Sequence, residues 1–520
     1  MVQISNTRSD MKFKNLLRNT LVAGASVLGF APWSIFAELT VASPFTDNAV
    51  IQRDMPIPVW GTAEAGAEVE VKFAGQMKVT TANAKGKWRV DLAALKATSK
   101  PSEMVVISTK SSEVKFANIV VGEVWICSGQ SNMQMAYKGI PELSPLVSRA
   151  KNIRAFEVKR SVAFEEQETC EGEWIIGPSS SAVAFAFAYH LQQAGDVPVG
   201  IIHASWGSSS LEAWMPRDMT ETVPHFNTMM KEFDADTETR EKITSILTGK
   251  QPWGRKDDIF LRRQTNILYN AMIHPLAPYA CRGLVWYQGE RNAQNMNGMV
   301  KDPWFSRHSG ILKYGDTLTE WIKRYRKEWG NEKMQFQIVM LPGYGRTLRG
   351  GKTGPEHPAA HSWAWMRESQ MKVLALENTS VANTIDLGHL TNIHPKDKLP
   401  IGERLALLAA RDTLGLKTEA QGPVMKEVKQ KGDRLVVSFE YASGLKTKDD
   451  QAPTAFWVAD KSKKWVKAQA VIKGETVELH AAEYRKPLYV RYAFAGKPSV
   501  NLVNAAGLPA YPFRTDSFAP

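Results

Sequence analysis

The chain has 520 residues, of which 43% are hydrophobic and 23% charged, with 65 lysines and arginines against 53 acidic residues. This is the composition of an ordinary globular protein, and it excludes a fibre or a disordered chain. The net charge of +12 is spread thinly without a dense basic block, so nucleic acid is not an expected partner. Three cysteines, with no Cys/His ligand spacing, exclude a disulfide scaffold and predict no structural zinc.

Lys12, Lys14 and Arg18 precede an apolar run over 21–37 that ends Ser34-Ile35-Phe36-Ala37. This predicts an export signal cut after Ala37, and hence a secreted or periplasmic protein. The alternative is an uncleaved N-terminal anchor. No later stretch reaches the ~20 apolar residues of a membrane span, so no membrane partner is expected after cleavage.

Residues 38–118 alternate apolar and polar side chains, as in 69–73 and 87–92, and predict a small β-domain. From 119 to 415, apolar strands alternate with helical patterns. Strands are predicted at 120–127, 198–205, 283–288, 336–341 and 380–387. Helices are predicted at 180–193, 260–272, 317–329, 364–377 and 402–414, with Asp316 capping the third. That alternation signals a parallel sheet with crossover helices. Residues 416–520 return to a β pattern and predict a second β-domain. Two polar loops, 292–310 and 343–362, follow strand ends and are candidate walls of a ligand site, with Trp304, Phe305, Arg307, Arg346 and Arg349 as candidates for choosing the substrate.

Four of the five strands run into chemically capable segments. The first empties into Gly129-Gln130-Ser131-Asn132-Met133, the second into Ser205-Trp206-Gly207-Ser208, the third into Gln288-Gly289-Glu290-Arg291-Asn292, and the fifth into Asp386-Leu387-Gly388 and then Asn392-Ile393-His394-Pro395. Parallel strands would gather all four on one edge. Acyl transfer needs a nucleophile, a base, a group that orients the base, and oxyanion donors. Ser131 is the candidate nucleophile and His394 the candidate base, with His389 in reserve. His203, inside an apolar strand, reads as a satisfied core residue. The backbone N–H groups of Ser131 and Gly207 and the amides of Asn292 and Gln288 are candidate oxyanion donors.

These motifs, the fourth continuing as Ile393-His394-Pro395-Lys396-Asp397-Lys398, with Glu212-Ala213-Trp214 after the second strand and the Asn504–Arg514 segment near the end, resemble the sialate O-acetylesterase family. That family belongs to the SGNH hydrolase superfamily and is related to bacterial acetylxylan esterases. The resemblance implies a flavodoxin-like α/β/α core with a parallel sheet, flanked by N- and C-terminal β-sandwich domains. It implies deacetylation of a sugar hydroxyl with no metal and no cofactor, and an acetylated carbohydrate as partner. It places the nucleophile at Ser131, the base at His394, and oxyanion donors at Gly207 and Asn292.

Three positions depart from the family pattern. Relatives place an acid shortly before the histidine, where this chain has Thr391 and Asn392. The orienting group is then Glu290, Asp386 or a backbone carbonyl. Ser208-Ser209 replaces the usual Gly-Thr. Arg291 stands where a small residue is usual, as a candidate for binding a substrate carboxylate beside Trp206. Two other functions stay open: a carbohydrate-binding protein that has lost catalysis, and an esterase for longer acyl chains.

Overall fold

The computed structural model describes residues 38–250, 252–297, 300–301, 307–345, 354–358 and 362–520. The expected export signal, Trp304, Phe305, Arg346 and Arg349 lie outside the described residues.

The central sheet is built on β1 (Ser111–Gly129), β2 (Ile153–Glu157), β3 (Val199–Ser205), β4 (Gly283–Tyr287), β5 (Gln335–Val339) and β6 (Thr379–Ala382). They lie in the order β2-β3-β1-β4-β5-β6, all parallel to their neighbours. Helices α1 (Ser131–Gln134), α2 (Ala182–Gly195), α3 (Ile311–Trp329), α4 (Ser362–Met371) and α5 (Lys398–Leu414) connect or follow these strands. Trp125 of β1 packs edge-on against Phe187 of α2. Trp286 of β4 lies 4.7 Å from Trp321 of α3, centroid to centroid. Trp286 pairs in register with Ser128, one pleat out of phase with Trp125, so the two helices cover opposite faces. Strands buried on both faces are near-continuously apolar, which is why they were legible.

Several boundaries differ from expectation. β1 is far longer than 120–127. Its first half pairs antiparallel with Thr98–Ser108, and its second half enters the parallel sheet. β2 escaped prediction because it is short and carries Arg154, whose guanidinium is buried against the backbone carbonyl of Asn48. The helix expected at 260–272 is broken. Arg255–Leu261 is helical, Asn266 takes φ +68°, and Tyr269–Ile273 forms a π turn. A left-handed residue cannot continue a right-handed helix. The helix expected from 317 begins at Ile311 after Gly310, so Asp316 is no cap; it pairs with Lys372 at 2.8 Å. The fifth strand stops at Ala382, and just beyond it the Asn383 side-chain amide donates to the carbonyl of Pro509.

Before β1, short strands form antiparallel ladders, including the three-stranded Thr40–Val41, Ile57–Thr62 and Lys87–Leu92 set. After α5, two four-stranded antiparallel sheets follow. Arg367 of α4 is fully buried and donates to four carbonyls, at Leu341, Pro342, Ala495 and Gly496, tying the last region to the central one. No helix among the described residues is long and apolar enough to cross a membrane.

Candidate active site

Ser131 opens α1 immediately beyond β1. The turn is possible only because residue 129 is glycine: its φ is +138°, and a Cβ there would stand 2.1 Å from the carbonyl oxygen of Tyr287. As the first helical residue, Ser131 keeps its backbone N–H out of the intrahelical ladder.

His394 comes from the loop between β6 and α5, and its Nε2 lies 2.8 Å from Ser131 Oγ. That is proton-transfer distance. Burial and the charge of Lys398 both hold the His394 imidazole below its ordinary pKa, favouring the neutral base. The loop braces itself: the His394 N–H donates to Asn392 Oδ1, and the N–H groups of Thr391 and Asn392 donate to His389 Nδ1. His389 is thereby a loop brace, and Ser131 is paired with His394 instead.

Neither expected acid bonds the histidine. Asp386 forms a two-pronged ion pair with Arg404, at 2.7 and 2.8 Å. Glu290 is buried and accepts from the Asn132 amide at 2.5 Å. Burial raises the Glu290 pKa, against the opposing hydrogen bond from Asn132 and the charge of Lys398. His394 Nδ1 has no hydrogen-bond partner among the described residues.

Of the expected oxyanion donors, Gly207 stands beside the nucleophile: a Cβ there would be 3.2 Å from Ser131 Cβ. Its N–H donates to Gln134 Oε1 at 2.7 Å. Asn292 is instead a buried brace. Its Nδ2 donates to the Glu212 carboxylate and to the Ser309 carbonyl, while Oδ1 accepts from Leu211 and Gln288. Gln288 Nε2 is divided among Gln130, Ser209 and Asn292, and its Oε1 accepts from Tyr314. Both amides are thus hydrogen-bonded within the wall of the site, as the Gly207 N–H is to Gln134.

Trp206 also differs from expectation. It is fully buried, stacks on Trp253 with a 9° interplanar angle, and donates to Asp258, so no face is offered to substrate. Arg291 is buried too. Its Nη1 donates to Gln294, its backbone N–H donates to Gln130 Oε1, and burial and the nearby Arg263 bring its pKa down to about 9 despite Glu212. Arg307 pairs with Asp236 beneath the surface. His203 is the core residue expected, bonded to Glu157 at 2.8 Å and Ser205 at 2.6 Å. All three cysteines are free thiols. No group of three or more His, Cys, Asp or Glu placed to hold a metal occurs among the described residues.

Sequence reasoning gave no role to Gln134, or to Lys398 at the end of its motif. Gln134 falls one helical turn after the nucleophile, a spacing that could have flagged it.

A solved carbohydrate acetylesterase from Xanthomonas citri is similar to this chain, with a TM-score of 0.76 and 31% identity over 92% of this chain and all of that one. The chain belongs to the family of sialate O-acetylesterases and related carbohydrate acetylesterases. The rat sialate O-acetylesterase (Rattus norvegicus) is 25% identical over 82% of this chain and 83% of its own length. The human one (Homo sapiens) is 24% identical over 86% and 87%. No family model matches the chain. Membership makes the protein a carboxylic-ester hydrolase.

Proposed function

We propose that the protein is a serine esterase that removes O-acetyl groups from carbohydrate, with Ser131 as nucleophile and His394 as general base. The 2.8 Å contact between Ser131 Oγ and His394 Nε2 carries this reading. With Nδ1 protonated, Nε2 is free to take the hydroxyl proton as Oγ attacks the acetyl carbonyl. The tetrahedral oxygen accepts from the N–H of Ser131 and, once it displaces the Gln134 amide, from the N–H of Gly207. His394 returns the proton to the departing sugar hydroxyl. Water, activated by the same imidazole, then releases acetate from the acyl-enzyme.

Ser131→Ala is expected to lower acetate release from acetylated glycans by about 10³–10⁶-fold. Near-wild-type release would exclude the scheme. A preference for octanoyl over acetyl esters would exclude the sugar deacetylase but keep a serine esterase.

The export signal ending at Ala37 fits a secreted or periplasmic enzyme that meets glycans outside the cytoplasm. A mature N-terminus other than residue 38 would remove that support. The flavodoxin-like SGNH core at 119–415, flanked by β-sandwich domains at 38–118 and 416–520, is proposed with it. The parallel sheet covered on both faces and the antiparallel ladders on either side of it support that division.

A further inference from the structure

A buried pair of opposite charges lies under Ser131, and the acyl-transfer scheme leaves it without a task. Lys398 is completely buried, and Glu290 nearly so. They grip opposite ends of the Asn132 amide: Nδ2 donates to Glu290 Oε1 at 2.5 Å, and Oδ1 accepts from Lys398 Nζ at 2.7 Å. Nδ2 also donates to the backbone carbonyl of Ile393 at 3.0 Å. Asn132 directly follows the nucleophile, and Ile393 directly precedes the base. One side chain therefore joins the two reacting residues across the crevice. The charges leave that amide a single orientation, because a flipped one would turn its N–H groups toward an ammonium and its oxygen toward a carboxylate. Ions withdrawn from water in this way are costly, and fixing one geometry is a use that offsets the cost.

We propose that Lys398 is a positioning residue for the general base: its buried ammonium, with Glu290, locks the Asn132 clamp that holds the His394 loop against the nucleophile turn. Among the described residues no carboxylate bonds His394, and the pair acts on its loop through Asn132. This inference rests on the serine-esterase reading above.

The same arrangement governs pH. Lys398 is faced by Glu290, by Asp397 beside it and by the ring of Tyr287 at 5.2 Å, and Asp397 itself accepts the N–H of Gly388. Burial lowers the Lys398 pKa to about 8 against the pull of the two carboxylates. His394 is faced by Ser131 and the Lys398 charge, and is held below its usual value by burial and by that charge. Removing the ammonium lets His394 bind its proton more readily. The base is active only when neutral, so the acid limb of kcat/KM must then move to higher pH.

The test follows acetate release from p-nitrophenyl acetate across pH for the wild type, Lys398→Met, Lys398→Gln and Ser131→Ala, with a thermal unfolding curve for each. The wild-type limb is expected below the ordinary histidine value of about 6.5. Both Lys398 variants are expected to raise it by about one unit. Lys398→Gln, which returns a donor to Asn132, recovers part of kcat without restoring the limb. A purely structural lysine would lower kcat at every pH and leave the limb in place. A wild-type limb at or above about 6.5, or an unmoved limb in a folded variant, overturns the proposal. Should neither variant fold, Asn132→Ala, which breaks the clamp and keeps the ammonium, decides: kcat is expected to fall at every pH, and an unchanged kcat overturns the proposal. If Ser131→Ala is inactive and the Lys398 variants leave the limb unmoved, the role of Lys398 alone is overturned. An active Ser131→Ala enzyme overturns the esterase reading and this inference together.

Discussion

Ser131 and His394 stand 263 positions apart in the chain and 2.8 Å apart in space. Ser131 stood out in the sequence at a glycine turn directly after a strand, and His394 on the polar segment between the last strand and the last helix of the central region. The amides beside them carried the same signal with a different meaning. Asn292 and Gln288 are polar residues at a strand end, but their hydrogen bonds are spent on Glu212, Ser309, Gln130 and Tyr314. Only a count of partners in three dimensions shows what each donor is already bonded to. Asn292→Ala would strip the buried Glu212 carboxylate of a donor, and is expected to cost about 1–3 kcal/mol of stability. Denaturant unfolding checks this. An unchanged midpoint with a rate loss of 10²-fold or more would instead return Asn292 to the oxyanion role.

At the scale of elements, the site depends on where strands stop. β1 must release the chain at Gly129 while β4 keeps its Tyr287 carbonyl in place, and the gap between them admits no Cβ. Gly129→Ala combines that clash with a backbone φ of +138°. It is expected to destabilise the fold by about 3 kcal/mol or more, read as a fall in the thermal midpoint. A variant with wild-type stability would show that the turn relaxes freely. The sequence pattern located all of β3 to β6 but misjudged β1 and overlooked β2. Apolar periodicity cannot tell where one long strand passes from an antiparallel ladder into a parallel sheet. Nor does a five-residue segment with an arginine look buried until the carbonyls that receive the guanidinium are known.

At the scale of the molecule, buried polar clusters join regions far apart in sequence. Glu123, with no exposed surface, binds Arg53 and Arg282. Glu157 on β2 binds His203 on β3 and the Ser179 and Ser180 hydroxyls ahead of α2. Burial pushes the Glu157 pKa up, yet its hydrogen bond with and attraction to His203, and the Ser180 donors, outweigh that and bring it to about 2, from 4.5. A carboxylate with a depressed folded-state pKa stabilises the fold fully above its unfolded value and loses that contribution as pH falls toward the folded one. Glu157 is thus expected to contribute up to about 3 kcal/mol above pH ~5 and progressively less down to pH ~2. The stability gap between wild type and Glu157→Gln should close over that window in pH-dependent unfolding. A gap constant from pH 6 to pH 3 would contradict the assignment.

Local chemistry determined by itself what can be read over a few residues: strands from apolar runs, the tight turn from a glycine, a candidate nucleophile and a candidate base from polar residues beyond strands, and the family from their combination. Only the tertiary structure decided which polar groups have hydrogen-bonding capacity left over. Gln134 on the Gly207 N–H, Asp386 turned to Arg404, and Asn132 clamped between Glu290 and Lys398 are all matters of saturation. The physical reason is that residue type sets how many hydrogen bonds and charges a side chain can offer, while packing sets which of them are already spent.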